Sequence, residues 1–301
     1  MKQSAKHTNQ SGQALLFVVI AMTIALSIGI NASVRTISSL SRTTRTDTAA
    51  RALAAAEGGI ERFIALPTQD LEDAVVVSEG SGSSGTACPV GVETALNGDG
   101  YCKVEFEGSG DILVSQAYVS VSRYIPDFYP FTLEAGQVKE INLYDFNDDT
   151  YYADDEIEIC WDPVDPASEA DIMYLAYDSD GVQAKGGLEG NPPPGAPYHS
   201  EGFDSSNNGA HAGAHDSCYT VNITSNDIYG LRVRVLGADA RVTIYPVGDT
   251  LPLQGYEITS VGKLEQDQGV VATRIIKIVR TLPYLPVSFD YALYSQAPIL
   301  K

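Results

Sequence analysis

No charged residue occurs between Gln13 and Val34, and nearly every position in that stretch is apolar or small. As an α-helix rising about 1.5 Å per residue it would span about 33 Å, the thickness of a bilayer's hydrocarbon core. A short polar leader precedes it and breaks at a glycine, in Ser11-Gly12-Gln13-Ala14-Leu15-Leu16-Phe17-Val18-Val19-Ile20. The helical pattern does not stop where the apolar run ends. It continues as a polar, Ala-rich segment to Leu66, where Pro67 can no longer supply the backbone N–H that a helix needs. A single helix with an all-apolar first half and an amphipathic second half restricts the fold. The first half needs lipid or other helices around it, and the second can cover a globular head.

Charge divides the chain in the same way. Residues 1–66 carry Lys2, Lys6, Arg35, Arg42, Arg45, Arg51 and Arg62 against Asp47, Glu57 and Glu61, a net of +4 that leaves −24 on the remainder. A head of that charge is soluble and self-repelling, and unsuited to nucleic acid or anionic lipid. Four cysteines, Cys88, Cys102, Cys160 and Cys218, all follow the apolar segment. Of the three possible connectivities, the local pairing Cys88–Cys102 and Cys160–Cys218 suits their placement, the first pair in loop-like sequence and the second flanking a strand-rich block. Such bonds imply an oxidising exterior. No CxxC or Cys/His cluster has ligand spacing, so no metal site is expected.

Within the upper helix, Ile37, Leu40, Thr44, Ala49, Leu53, Ala56, Ile60 and Phe63/Ile64 recur every three to four residues. Small residues crowd that stripe, which permits close approach of neighbouring helices, or of a sheet in the same domain. Residues 78–100 read as loop, being rich in Ser, Gly, Asn and Asp. Alternating sequence then predicts strands at 101–107, 112–123, 138–143, 156–161, 172–177, 218–223, 231–235, 240–245, 256–261 and 271–279. No βαβ rhythm follows residue 70, so the expected class is α+β, a long helix on an antiparallel β head. Residues 124–130 and 246–252 read as linkers around an inserted β-sandwich, with 186–217 as a long exposed loop inside it.

Three places resemble type IV pilins and type II secretion pseudopilins of the minor, PilX/GspK-like kind. Ser11-Gly12-Gln13-Ala14-Leu15-Leu16 is similar to a prepilin-peptidase site. Ala54-Ala55-Ala56-Glu57-Gly58-Gly59-Ile60-Glu61 is similar to the signature late in that family's helix. The third comprises Gly255–Gly262, Arg274–Arg280 and Phe289–Ser295, similar to the family's closing hairpin and tail. The resemblance implies cleavage between Gly12 and Gln13, N-methylation of Gln13, and assembly with other pilin subunits through the N-terminal helix. It also implies a prepilin peptidase and the pilus assembly machinery as partners, a single-pass cell-membrane location before assembly, and a cell-surface location afterwards. The expected organisation is a leader at 1–12, a helix at 13–66 with its transmembrane part at 13–34, a pilin β head at 67–124 and 251–301, and the insert at 125–250.

Two departures refine this. The family carries a glutamate five residues into the mature chain, where this chain has Phe17, and a Phe or Met first, where it has Gln13. A buried carboxylate and amine pair between neighbouring subunits in the family, so a chain without that partner suits a low-copy or tip position better than the shaft. A count of flanking positive charges favours a cytoplasmic head, and the cysteines and pilin pattern overrule it. A Sec-type cleavage after Asn31-Ala32 would waste the continuous helix beyond.

Other candidate sites have plainer readings. Asp145, Asn147, Asp149 and Glu156 have calcium-loop spacing, yet Thr150 occupies the position where such a loop needs glycine, so a solvated acidic loop is expected. His211 and His215 lie in Gly/Ala-rich sequence without helical alignment, and metal binding there is not expected. No nucleophile elbow, phosphate loop or zinc-protease motif is present, so neither an enzyme nor a cofactor is expected. The 17 tyrosines are ordinary strand residues by default. The alternative to a pilin is a single-pass, membrane-anchored extracellular β-domain that binds a surface or glycan.

Overall fold

The computed structural model describes residues 11–79, 88, 93–94, 100–106, 114–191, 202–206, 209–211, 213–223, 227–266 and 269–283; for residues 11–14, 93–94 and 266 the backbone alone is described. The class is α+β, one long N-terminal apolar helix followed by a β-rich, sandwich-like head. Helix α1 runs unbroken over Ser11–Ile64, about 80 Å at 1.5 Å per residue. The Leu66 N–H donates to Phe63 O at 3.1 Å, and Pro67 then ends the run.

A second helix, α2 (Thr68–Ser78), follows at once. Local sequence alone predicts no helix there. Pro67, with φ −59° and ψ 156°, turns the chain, and its carbonyl accepts the first bond of the new helix from Leu71 N–H at 3.2 Å. Leu71, Ala74 and Val75 form its buried face at helical spacing.

The strands are β1 (Glu93–Thr94), β2 (Cys102–Phe106), β3 (Val114–Tyr124), β4 (Tyr129–Leu133), β5 (Val138–Asn142), β6 (Tyr144–Asp145), β7 (Thr150–Tyr151) and β8 (Glu156–Pro163). They continue as β9 (Ala170–Asp178), β10 (Gly181–Glu189), β11 (Asp204–Ser205), β12 (Ser217–Asn222), β13 (Gly230–Gly237), β14 (Ala240–Pro246), β15 (Gly255–Gln266) and β16 (Gly269–Thr281). One sheet has the order β1-β2-β3-β15-β16. The others are β11-β10-β9-β13-β5, β12-β8-β14-β4 and the small pair β6-β7. Two expectations are corrected here. Tyr129 and Pro130 belong to strand β4 rather than to a linker, and 186–189 and 204–205 are strand rather than loop, with residues 192–201 outside the described set.

The chain forms two compact units. The first comprises Met1–Arg62, Lys103–Val119 and Ser260–Ile276. Here Ala52, Ala55, Ala56 and Ile60 of α1 are buried, whereas Leu53 of the expected stripe is 40% exposed and Ile37 and Leu40 are more so. The buried face therefore runs through Ala52, Ala56 and Gly59 and leaves Leu53 outside it, because at Gly59 the helix lies too close to the sheet for bulk. A Cβ on Gly59 would meet Ala117 Cβ at 2.8 Å, and one on Gly262 would meet Ala56 Cβ at 2.9 Å. The Ala/Gly signature thus serves contact with the domain's own sheet.

The second unit comprises Phe63–Cys102, Ser120–Thr259 and Lys277–Lys301. Its sandwich core takes alternate residues from both sheets, as period-two strands require. Ile157, Ile159 and Trp161 of β8 and Val242 and Ile244 of β14 meet Ile172, Tyr174 and Ala176 of β9 and Leu231, Val233 and Val235 of β13. Burying each such aliphatic side chain stabilises by roughly 1.5–3 kcal/mol. Trp161 is fully buried, and its indole N–H donates to Ala170 O at 2.7 Å, so no polar cost remains.

Candidate functional site

Along the first half of α1 the side chains from Leu15 to Leu40 stand exposed, and Leu15, Phe17, Met22, Leu26 and Ile37 each show about two-thirds of their surface or more. Mean hydropathy reaches 2.4 over an 18-residue window, and none of that window is buried among the described residues. Three of its polar side chains are bonded within the helix. The Thr23 hydroxyl donates to Ile20 O at 2.8 Å, Asn31 Nδ2 to Ser27 O at 2.9 Å, and the Ser33 hydroxyl to Gly29 O at 2.9 Å. In hydrocarbon an unsatisfied donor costs several kcal/mol, so this internal bonding makes the segment compatible with lipid. Such a helix is long and apolar enough for a single-pass anchor. Farther along, Thr36, Thr43, Thr44 and Thr46 bond back to carbonyls in the same way. Gly12 and Gln13 fall in the first turn of α1, while leader residues 1–10 and the tail motif Phe289–Ser295 lie outside the described residues.

Both disulfides, Cys88–Cys102 and Cys160–Cys218, are present. Cys160 and Cys218 are direct cross-strand partners in β8 and β12. Glu158 lies beside them, so its carboxylate and both sulfurs fall within 4.8 Å of one another. Sulfurs bonded to each other are not thiolate ligands, and the group has no metal-binding chemistry in this form.

The two loop histidines have separate partners. His211 Nδ1 lies 2.7 Å from Glu158 Oε2, and the His211 backbone N–H donates to Glu158 Oε1 at 2.9 Å. His215 Nδ1 lies 2.8 Å from Asp162 Oδ2, and its Nε2 lies 3.0 Å from the Tyr245 hydroxyl. The His211 ring stacks on Tyr245, with centroids 3.8 Å apart. These bonds tie the 209–216 segment to β8 and β14. Sequence spacing alone could not reveal them, because both carboxylates lie 53 positions away.

The acidic stretch at 145–156 opens on a hairpin, β6 paired with β7. Asp145 is buried and its Oδ1 accepts the Asn147 N–H at 2.9 Å, while Asp149, at φ 51°, accepts the Tyr144 hydroxyl at 2.6 Å. These oxygens shape the turn. The hairpin also displays aromatic rings: Tyr144 packs against Phe146 at 4.7 Å, Tyr151 at 4.6 Å and Tyr229 at 5.3 Å between centroids. The hydrogen bond to Asp149 holds the Tyr144 phenol above the usual tyrosine range, and a bond to Tyr229 pushes that of Tyr151 up to about 12.

No family model and no curated protein matches the chain. Among solved structures it has faint similarity to an infectious bursal disease virus structure (Gx strain), at 8% identity and a TM-score of 0.17, covering 65% of this chain and 54% of that one. The chain thus spans about half the length of that relative. A second structure is the collagen binding subdomain of the Enterococcus faecalis surface protein ACE, at 6% identity and a TM-score of 0.09, covering 60% of this chain and 92% of that one. At such scores neither carries an argument about fold or function.

Proposed function

We propose that this chain is a minor, low-copy subunit of a type IV pilus or a related type II secretion-like filament, assembled through its N-terminal helix. The observation that supports this most is the division of labour along α1. One uninterrupted helix offers an exposed apolar half in which Thr23, Asn31 and Ser33 bond back to the helix, then a small-residue half pressed on its own sheet. An anchor that only tethered a domain would need no rigid continuation. In this reading a prepilin peptidase cuts between Gly12 and Gln13 and the new amine is methylated. The apolar helix rests in the membrane with the head outside until the assembly machinery packs it against other pilin helices. Phe17, in place of an acidic side chain, removes one partner of the charge pair between successive subunits and favours a low-copy or tip position. The role is structural and requires no catalysis or cofactor.

N-terminal mass spectrometry of the protein from its native membrane tests this directly. A mature chain beginning at Gln13 with one added methyl group is the expected result, and Gly12→Leu is expected to retain the leader and disappear from sheared filaments. Wild-type protein that keeps its leader would refute the assignment. It would leave the second reading, a single-pass anchored β binding module, which the same exposed helix and the separately cored sandwich also support.

A further inference from the structure

Beside the sandwich core of the second unit lies a cleft of about 220 Å³. Tyr129, Tyr177, Tyr229 and Phe146 line it with aromatic surface, and Glu140, Asn142, Gln254 and Thr281 add polar groups. The cleft is smaller than the roughly 300–1,000 Å³ typical of drug-sized ligands, so it suits a group no larger than one long side chain.

The polar lining is specialised. Glu140 accepts the Tyr177 hydroxyl at 2.8 Å and Arg232 Nη1 at 2.6 Å, and Arg232 is 3% exposed, so the carboxylate is held rigidly from behind. Asn142 Nδ2 donates to Tyr144 O and Leu253 O, and Gln254 Nε2 donates to Asn142 O and Pro252 O. Both amide groups therefore spend their donors inside the protein, and the polar capacity left on Glu140 and Asn142 is acceptor oxygen. The aromatic faces add negative quadrupole potential. At the rim, Phe146 is 68% exposed, and Asp145 and Asp149 sit in the same hairpin. The chain already places one cation on this lining, since Lys139 Nζ lies 5.7 Å from the centroid of the Tyr129 ring. A net charge of −24 beyond residue 66 draws cations toward the head at long range.

We propose that the cleft binds an organic cation, an ammonium- or guanidinium-bearing group the size of a lysine or arginine side chain, held chiefly by the aromatic walls, with the Arg232-paired Glu140 carboxylate supplying acceptor oxygens. The inference does not depend on the filament assignment. A neutral sugar also favours aromatic faces, and a glucoside control separates it from a cation.

The test is calorimetric titration of the full chain in maltoside micelles with tetramethylammonium and with Nα-acetyl-lysine amide, using methyl glucoside and acetate as neutral and anionic controls. Saturable binding of both cations and of neither control is expected. Phe146→Ala, at an exposed position, and Tyr229→Ala should each weaken it about 3- to 10-fold, the worth of one aromatic wall, with thermal unfolding showing that each variant remains folded. Binding of the glucoside in preference to the cations overturns the proposal. So does an absence of saturable cation binding, or cation affinity unchanged in both folded variants.

Discussion

Glu72→Ala should be among the most damaging single substitutions in the head. Glu72 sits on α2, a helix with no side-chain cap at its N-terminus, and only 11% of its side chain is exposed. Its Oε1 accepts the Tyr256 hydroxyl at 2.6 Å and Asn147 Nδ2 at 2.8 Å, and its Oε2 accepts Arg123 Nη2 at 2.8 Å and Nε at 3.2 Å. One carboxylate thereby joins α2 to β3, to β15 and to the turn of the β6–β7 hairpin. Removing it leaves a buried phenol without its acceptor and a guanidinium without its counter-charge. Breaking a buried pair costs about 3–5 kcal/mol, and the partial exposure of Arg123 brings the expected loss to the lower end, about 3 kcal/mol. For a domain of this size that is a fall in Tm of about 6–12 °C. Thermal and urea unfolding of the full chain in maltoside micelles, followed by near-UV circular dichroism, reads the loss. Glu72→Gln keeps an acceptor for Tyr256 and should lose roughly half as much. Burial first, and the Glu72 bond second, hold the Tyr256 phenol well above the usual tyrosine range, so Glu72→Ala should also lower its ionisation pH without restoring it to that of free tyrosine. A Glu72→Ala protein that melts within about 1 °C of wild type would refute the reasoning, since even one lost buried hydrogen bond should exceed that.

Three further outcomes follow from the packing. Gly59→Val should cost about 3 kcal/mol or more, by forcing Ala117 and Ser260 aside, whereas Leu53→Ala on the exposed flank of the same helix should change stability by under about 0.5 kcal/mol; paired urea titrations separate the two. Burial pushes the phenols of Tyr152 and Tyr174 up to about 12, against about 10 in the unfolded chain, so the unfolded state loses protons first. Stability should therefore be level below about pH 10 and fall as pH rises from 10 to 12, visible when phenolate absorbance and loss of circular dichroism appear together. Replacing Cys160 and Cys218 by serine should cost about 4 kcal/mol and replacing Cys88 and Cys102 about 3 kcal/mol, because the bonds close sequence separations of 58 and 14 residues; denaturant midpoints of the two double variants give the order.

The long helix and most of the strands could be read directly from residue order. An uncharged run from Gln13 to Val34, Pro67 at the stop, and alternation such as Ile157, Ile159 and Trp161 each depend on neighbours a few positions apart, where chain connectivity supplies the geometry. Helix α2 is not legible in this way, because Pro67 looks like an end and is also a start. Strand β10, with its run of Gly and Ala, has little of the β-branched content that marks a strand, and forms through pairing with β9 across the Gly181 turn.

Local chemistry determines that this chain has an apolar stem, an acidic β head and two cysteine pairs placed for closure, because those depend on hydropathy, charge and spacing alone. Which face of the stem's upper half is buried is a matter of tertiary distance. The helix approaches its sheet at Gly59 and Gly262 too closely for leucine, and so Leu53 faces outward. The same holds for the Glu72 network, the His211–Glu158 and His215–Asp162 pairs, and the aromatic cleft around Glu140. Their members lie from tens to nearly two hundred positions apart, and only the cost of burying a polar group unpaired brings them together.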